Sequence, residues 1–368
     1  MLKESEELPM LKRFMALLMA LVVLCACVSA VAEDELTTIK GTTKATVKVK
    51  SKYADNEVVS GISSTTGLPS SGEVYTPILM VVDNSENAHP HWCVGQADIM
   101  FQIPNAGAGA TKLLALFADQ YPDAAGGVRS ARASMVPIAM AWDAAFAYAG
   151  TPPLGNVKVN PDYLMSKWKM KTSSRAYNLL SGKFAERVDF YFQPHNLSCH
   201  IGEIHDSLVE GGVTFEERPF LFTDEPLTGG TDAGYIRILH RGDNKENNVN
   251  PASTSYFTYD GELGAYIRSN SSGDYIDRDT GEVIPFANVI VLRTAFTWLN
   301  GYVCLKNHLV GKGCAEFFQN GQYVRGAWFR KDTDSRIVFV GPDGKEMPMQ
   351  RGKTFIVVTN GVTEVAYR

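Results

Sequence analysis

The sequence lacks several features that would direct it to a common functional class. After residue 28, no apolar run reaches the about 20 residues that a membrane-spanning helix needs, so no such helix is expected in the body of the chain. Basic residues are scattered and the net charge is −5, which excludes nucleic acid as an expected partner. Ser130 lacks a G-x-S-x-G context and has no histidine near it in sequence, which argues against a serine nucleophile.

The amino terminus, in contrast, has the pattern of a secretory signal peptide. From Met10 the chain continues Leu-Lys-Arg and is then apolar from Phe14 to Val28. Met10 is a plausible true start, because the glutamates upstream of it oppose the positive charge that such a signal needs. We therefore predict a signal peptide over residues 1–26.

Two cleavage sites compete. Leu24-Cys25-Ala26-Cys27 is similar to a bacterial lipobox, although Cys25 is unusual at its position, and it predicts lipidation of Cys27. Ala30-Val31-Ala32 instead fits an ordinary signal peptidase. The first alternative predicts a lipoprotein on the extracytoplasmic face of the cell membrane, held by its acyl chains alone. The second predicts a secreted protein.

The rest of the chain divides into three parts. Residues 27–72 are rich in Thr, Ser, Lys and Gly, which predicts a flexible tether, although Thr43–Lys50 alternates as an edge strand would. Residues 73–225 contain apolar runs at 77–82, 97–103, 112–117 and 144–149, which predict strands, and a helical pattern over 130–142. This alternation predicts an α/β domain with a mixed sheet. Residues 226–368 contain strands and Asp-Gly or Asn-Gly turns, which predicts a smaller, mainly-β domain. The predicted fold class is thus α+β or α/β.

Short motifs occur in a fixed order along both halves of this body. They are Val81–Ser85, Gln96–Asp98, Gly127–Arg132, Pro194–Asn196, Tyr266–Arg268, Asn288–Val291, Gly326–Trp328 and Asp343–Glu346. Together they make the chain similar to the YerB-like family of bacterial lipoproteins, a two-part domain of unknown function. The resemblance spans roughly residues 67 to 359. It implies an envelope location and a two-domain body, and it implies no reaction.

Two positions depart from the pattern of that family. Gln102 stands where relatives tend to have glutamate, and Lys112 stands where they tend to have arginine. An amide does not titrate, and lysine lacks the bidentate fork of arginine. Both differences argue against a mechanism built on this pair.

The segment Gly126–Arg132 is the first candidate site. A glycine turn that enters a helix exposes N–H donors, and Arg129 and Arg132, three residues apart, would share a face of its first turn. With Ser130 they would suit a carboxylate, a phosphate or an anionic wall polymer. The alternative is structural: the arginines pair with Asp83 or Asp98 and lock the strands to the helix.

Five further residues are predicted to complete this ligand site. Asp83, Asn84 and Asp98 lie near strand ends or loops, where ligands often bind in open sheets. His195 and Asn196 precede a predicted helix over 197–209, and His195 can act as an acid or a base. The alternative roles are turn formation for the first group and a capping or core role for the histidine.

Histidine and cysteine form two clusters, at His89–Cys93 and at His195 with Cys199 and its neighbours His200 and His205. The family pattern does not call for most of these residues, so neither a metal nor another cofactor is expected. The mature body contains Cys93, Cys199, Cys304 and Cys314. A disulfide between Cys304 and Cys314 is the first guess, and four free thiols are the alternative.

These features favour a non-catalytic envelope protein that binds an anionic or polymeric ligand. The first alternative is a cell-wall-modifying enzyme, in which Asp83, Asp98 and His195 would transfer protons. The second is a scaffold that recruits a wall enzyme, which would make an envelope protein its partner.

Overall fold

The computed structural model describes residues 35–105, 109–154, 159–241, 249–299 and 301–368. Thr38–Tyr367 forms one compact unit, and a second unit consists of Met1–Thr37 with Arg368. The predicted signal peptide, Cys27 and both cleavage positions lie outside the described residues. No helix in the described part of the chain is long and apolar enough to cross a membrane.

The described residues are mostly β-structure. In chain order the strands are β1 (Thr37–Ile39), β2 (Ile78–Val82), β3 (Ile99–Pro104), β4 (Thr111–Phe117), β5 (Ala125–Gly126), β6 (Ala145–Tyr148), β7 (Ala176–Asn178), β8 (Ala185–Arg187), β9 (Leu197–Cys199), β10 (Phe222–Thr223), β11 (Thr231–Asp232), β12 (Tyr235–Leu239), β13 (Ser255–Asp260), β14 (Ala265–Asn270), β15 (Gly273–Asp274), β16 (Pro285–Phe286), β17 (Asn288–Arg293), β18 (Phe296–Leu299), β19 (Tyr302–Leu305), β20 (Gly311–Gln319), β21 (Gln322–Arg330), β22 (Val338–Val340), β23 (Met349–Gln350), β24 (Thr354–Thr359) and β25 (Glu364–Tyr367). The α-helices are α1 (Val136–Ala141), α2 (Pro161–Lys167) and α3 (Ile201–Glu210). Short 3-10 helices cover Glu86–Ala88, Val94–Gln96, Leu179–Ser181, Pro251–Ser253 and Lys306–Leu309.

Eleven strands form one mixed sheet, in the order β11-β21-β20-β17-β24-β3-β4-β2-β6-β7 with β22 on β21. Its centre is the parallel trio β17, β24 and β3, and most outer pairs are antiparallel. Strands such as Ile78–Val82 are apolar at every position because both faces of the sheet are covered. The parallel pairing of β24 with β3 joins the two halves of the sequence within one sheet.

Two apolar layers pack on opposite faces of this sheet. On one face, α1 and α2 contact alternate residues of β2 and β3, such as Leu79 and Phe101. On the other face, α3 packs beside a second sheet of β25, β12, β13, β14 and β15 in that order, with β16 on β14. Phe257 and Tyr266 of this second sheet are completely buried. The core therefore has three layers.

The predicted mixed sheet agrees with this architecture, whereas the α/β prediction overstated the helix content. Helix was predicted over 130–142, but α1 begins at Val136, with Pro137 in its first turn. Residues 197–199 form β9, and α3 begins only at Ile201 and ends at Gly211 as predicted. Strand pairing thus replaced the first three residues of the second predicted helix, and residues 133–135 form a turn before α1.

The prediction of a free tether is corrected for residues 38–72. Ala45, Val47 and Val49 pack on a small apolar cluster of β21 and β22, with the intervening lysines exposed. The alternation in Thr43–Lys50 thus buries one side, although no strand forms there. Tyr53 donates to the Gly344 carbonyl at 3.2 Å. A few apolar and aromatic side chains suffice to hold this segment in place, because β21 and β22 offer an apolar surface on which they pack.

The cysteine prediction is also corrected. Cys93, Cys199 and Cys314 are free thiols, so the predicted disulfide between Cys304 and Cys314 is not formed. Cys314 is completely buried in β20, and burial raises the pKa of its thiol to about 11. Burial likewise raises the pKa of the Cys304 thiol to about 11.

Candidate functional site

The candidate site lies where β2 and β6 separate. The two strands pair in parallel from Ile78 to Met80, and the chain at residues 128–131 then enters between them. Arg129 N donates to the Val81 carbonyl at 3.0 Å, and Ala149 N donates to the Arg129 carbonyl at 2.9 Å. Extended backbone therefore fixes Arg129 at the end of β2. The prediction that Arg129 and Arg132 share the first turn of a helix is wrong.

Asp83, the residue after β2, is the centre of this site. Its carboxylate lies 2.8 Å from Arg129 Nε, 2.8 Å from His195 Nδ1 and 3.5 Å from Lys112 Nζ. Burial of Asp83 opposes its ionisation, but the charges of Lys112 and Arg129 and the hydrogen bond with His195 outweigh burial and hold the pKa of the carboxyl below its ordinary value. Asp83 is therefore a buried anion at neutral pH. The predicted structural alternative, an Asp83–Arg129 pair, is present.

One carboxylate does not balance the cations around it. Burial, together with the nearby positive charges of Arg129 and Arg132, lowers the pKa of Lys112 to about 8 against the opposing attraction of Asp83. Burial and then Arg129 lower the pKa of Arg132, whose guanidinium lies over the Tyr302 ring at 5.2 Å. We call Asp83, Lys112, Arg129, Arg132 and His195 the Asp83 cluster. It has three basic side chains and a histidine for one acid.

Gly127 explains how His195 reaches Asp83. A Cβ at Gly127 would overlap the carbonyl oxygen of His195, so only glycine allows the two chain segments to lie this close. The imidazole also lies 3.3 Å from Ser85 Oγ and against the edge of the Phe192 ring. His195 is thus buried and oriented by Asp83. Of the two alternatives considered from the sequence, a core position is observed and a capping role is not.

The other predicted residues at this end of the sheet have supporting contacts. Asn84 Nδ2 donates to Thr111 Oγ1 at 2.8 Å. Asn196 accepts from Arg187 Nη1 at 2.7 Å and donates to the Val188 carbonyl at 3.0 Å, which closes the loop before β9. The Ser130 carbonyl accepts from Arg132 at 3.3 Å, and its hydroxyl makes no hydrogen bond that would mark it as a cap.

Asp98 does not join the site. It precedes β3, which runs in the same direction as β2 because both are antiparallel to β4. Asp98 is therefore at the opposite end of the sheet from Asp83, about 15 Å away along the strands. It accepts from Thr65 Oγ1 at 2.9 Å, and burial raises its pKa to about 6 although the charge of Lys353 opposes this.

Sequence reasoning left two residues near this site out of it. Lys112 was noted only as a departure from the family pattern, although a lysine directly before the apolar residues of β4 was a usable signal. Arg268 is completely buried, and its Nη2 donates to Asn84 Oδ1 at 3.4 Å. Ser255 connects Arg268 to Gln102, the position where relatives tend to have glutamate. No carboxylate of the described residues lies within 4 Å of the Arg268 guanidinium.

The second histidine–cysteine cluster is dispersed in the structure. His195 binds Asp83, whereas Cys199 ends β9 and is completely buried. His200 lies 3.1 Å from Glu203, and His205 stacks on Tyr121. His195 and Cys199 do not share a helical face, because the helix begins after both.

Comparison with known proteins places this architecture in a family. Models for the N-terminal and C-terminal domains of a protein of unknown function, DUF3048, match residues 65–214 and 246–356. A Bacillus subtilis (strain 168) relative named "Putative lipoprotein YerB" is 27% identical over 285 residues, which are 76% of this chain and 80% of the relative. The crystal structure of the YerB protein from Bacillus subtilis has a TM-score of 0.67 and 25% identity, and the match covers 83% of this chain and 99% of that one. The YerB-like resemblance is confirmed, and the chain belongs to the DUF3048 family of proteins of unknown function.

Proposed function

We propose that this chain is a lipid-anchored envelope protein that binds an anionic envelope polymer at the Asp83 cluster without catalysing a reaction. The observation that carries the proposal is the surplus of positive charge at the cluster. Arg129, whose side chain is 27% exposed, presents this charge at the surface. A guanidinium that is partly exposed and already oriented binds a carboxylate or a phosphate with little loss of entropy.

The location rests on the signal peptide and on the printed name of the Bacillus subtilis relative, which calls that protein a lipoprotein. Lipidation at Cys27 would hold the chain to the extracytoplasmic face of the membrane, and cleavage after Ala32 would release it. Labelling of cells with a fatty-acid probe separates these outcomes. We expect the label on the wild-type chain and its loss in Cys27→Ala.

The separation of Asp83 from Asp98 supports binding over the proposed wall enzyme. Two carboxylates about 15 Å apart cannot act on one bond in concert, because general acid–base catalysis needs both within hydrogen-bond reach. The His195–Asp83 pair does have the geometry in which a carboxylate orients an imidazole. Release of fragments from purified wall material, lost in His195→Gln, would therefore favour the enzyme.

Binding is tested with the full chain in detergent micelles and with inorganic polyphosphate as the anionic probe. We expect Arg129→Ala combined with Arg132→Ala to weaken binding at least about 30-fold, a change of about 2 kcal/mol. Lys331→Ala combined with Lys345→Ala is the matched control, because it removes two exposed positive charges elsewhere. Equal losses in both double variants would show non-specific attraction and refute the site. If an envelope protein binds the wild-type chain and still binds both double variants, the scaffold is favoured.

A further inference from the structure

The loop that leads to His195 is fixed in place. Val188 and Asn196 close it, since Val188 N donates to the Asn196 carbonyl at 3.0 Å and Asn196 Nδ2 donates back to the Val188 carbonyl at 3.0 Å. Within the loop, Tyr191 donates to the Pro90 carbonyl at 2.9 Å and stacks on Trp92 with ring centroids 5.9 Å apart. Tyr191 is therefore the inward-facing anchor of the loop.

The two residues beside this anchor have the opposite environment. Phe190 is 39% exposed and Phe192 is 61% exposed, although both are large and apolar. The guanidinium of Arg278 lies 3.7 Å from the centroid of the Phe190 ring. A fixed loop that half-buries its central aromatic residue and exposes both neighbours presents two rings to solvent at a cost in hydrophobic burial.

Short contacts connect these rings to the charged site. The Phe192 ring meets the His195 ring edge to face, with centroids 5.2 Å apart. His195 in turn lies 2.8 Å from the carboxylate of Asp83, which also holds Arg129. The side chains of His195 and Asp83 thus separate the exposed ring of Phe192 from the partly exposed guanidinium of Arg129. A single extended ligand can contact both.

We propose that Phe192 and Phe190 form a stacking surface for a sugar ring, and that the ligand of the Asp83 cluster is an anionic polysaccharide. The negative face of an aromatic ring attracts the C–H groups on the apolar face of a pyranose. The acidic group of the same or the next sugar then pairs with Arg129 or Lys112. This inference rests on the proposed function and names the class of its ligand.

An anionic membrane is the other surface that exposed aromatic residues can meet, and the loop fits it less well. Asp189 immediately precedes the exposed Phe190 in this loop and is itself exposed. Insertion of the rings among lipids would carry this carboxylate towards the headgroups, where desolvation and negative lipids both oppose it. A polysaccharide contacts the rings without burying Asp189.

The test measures Kd of the full chain in detergent micelles for three probes: polygalacturonate, inorganic polyphosphate and neutral dextran. We expect Phe192→Ala to weaken polygalacturonate binding about 5-fold and to leave polyphosphate binding within about two-fold, since stacking is worth roughly 1 kcal/mol. Phe192→Trp should retain the affinity for polygalacturonate. Tyr163→Ala, an exposed aromatic residue on α2, is the matched control and should change neither Kd.

The outcomes separate the two proposals. If polyphosphate binds and Phe192→Ala changes the two anionic probes equally or not at all, the stacking surface is wrong and the proposed function stands. If neither anionic probe binds, both are wrong. Binding of phosphatidylglycerol vesicles that depends on Phe192, without binding of polygalacturonate, would assign the loop to the membrane and overturn the inference. Binding of dextran equal to that of polygalacturonate would overturn the requirement for an acid.

Discussion

Two clusters of charged side chains occur on the same sheet, and they differ in the ion pairs, hydrogen bonds and exposure of their arginines. In the Glu316 cluster (Glu316, Arg293 and Arg325), the Arg293 and Glu316 side chains are both 0% exposed and lie 2.8 Å apart. Arg293 also donates to the carbonyls of Asn360 and Thr363 at 2.8 and 2.9 Å. In the Asp83 cluster, by contrast, several cations share one carboxylate and Arg129 reaches the surface.

The difference shows which kind of charged cluster is structural. Carbonyl groups and a carboxylate enclose Arg293, and its side chain is 0% exposed, so its charge is out of reach of a ligand. A fully buried ion pair of this kind contributes little net stability, but a substitution that removes one partner leaves the other charge buried and uncompensated. Arg129 and Lys112 share Asp83, so the cluster retains attraction for an anion. The predictions below test this contrast, in order of decreasing effect.

Arg293→Met should cause the largest loss of stability, about 3–5 kcal/mol, because it leaves Glu316 buried without its main partner. The measurement is urea unfolding followed by tryptophan fluorescence. Lys331→Met is the control, since this exposed side chain pairs with Asp332 at 3.9 Å and should cost under about 0.5 kcal/mol. Similar losses in the two variants would contradict the structural role of the Glu316 cluster.

Gly127→Ala should cost about 1–3 kcal/mol and also weaken polyphosphate binding, because the added Cβ displaces the His195 backbone and with it the contact to Asp83. Thermal unfolding and Kd are measured on the same sample. Gly234→Ala is the matched control, since a Cβ there meets no atom within 4 Å. A stable variant with unchanged affinity would show that His195 does not need this close approach.

Lys112 should give the Asp83 cluster a dependence on pH. Its pKa of about 8 means that its charge is lost as pH rises through 8, so we expect polyphosphate affinity to fall about 10-fold, or 1.4 kcal/mol, between pH 7 and 9.5. Lys112→Met should remove most of this dependence, and Lys331→Met should retain it. The ratio of Kd values at the two pH values is the readout, and a fall of equal size in Lys112→Met would exclude Lys112 as its source.

The same group gives a stability effect of defined sign. The folded-state pKa of Lys112, about 8, lies below the ordinary 10.5, so the unfolded chain binds more protons between these values. The contribution of Lys112 to stability therefore rises with pH across that window and is lost as pH falls through 8. Relative to Lys112→Met, the wild-type chain should become more stable from pH 8 to 10.5.

Asp98→Asn should have the smallest effect on binding, with Kd for polyphosphate within about two-fold of wild type, because Asp98 is at the opposite end of the sheet. Its pKa is raised from 3.8 to about 6, so the stability that it contributes below pH 3.8 is lost as pH rises through 6. The variant should gain on the order of 1 kcal/mol at pH 7.5 and nothing at pH 4. A large loss of polyphosphate affinity in Asp98→Asn would show that Asp98 belongs to the candidate site and would favour the wall enzyme.

Much of the local structure could be predicted from the sequence. Continuous apolar runs identified β2, β4 and β6 to within about two residues, because a strand buried on both faces must be apolar throughout. The glycine pair after α3 predicted where that helix ends. The ordered motifs of both halves predicted the family, which the matching domain models confirm.

The sequence alone determined the apolar strands and the basic character of the segment around Arg129, and it predicts the export signal. Only the tertiary structure decided that Asp83 and Asp98 lie at opposite ends of one sheet, and that Lys112 and Phe192 lie close to the candidate site. The physical reason is that strand direction and pairing follow from burial over the whole sheet. Residues as far apart in sequence as Asp83 and His195 meet through these long-range pairings, which no local pattern encodes.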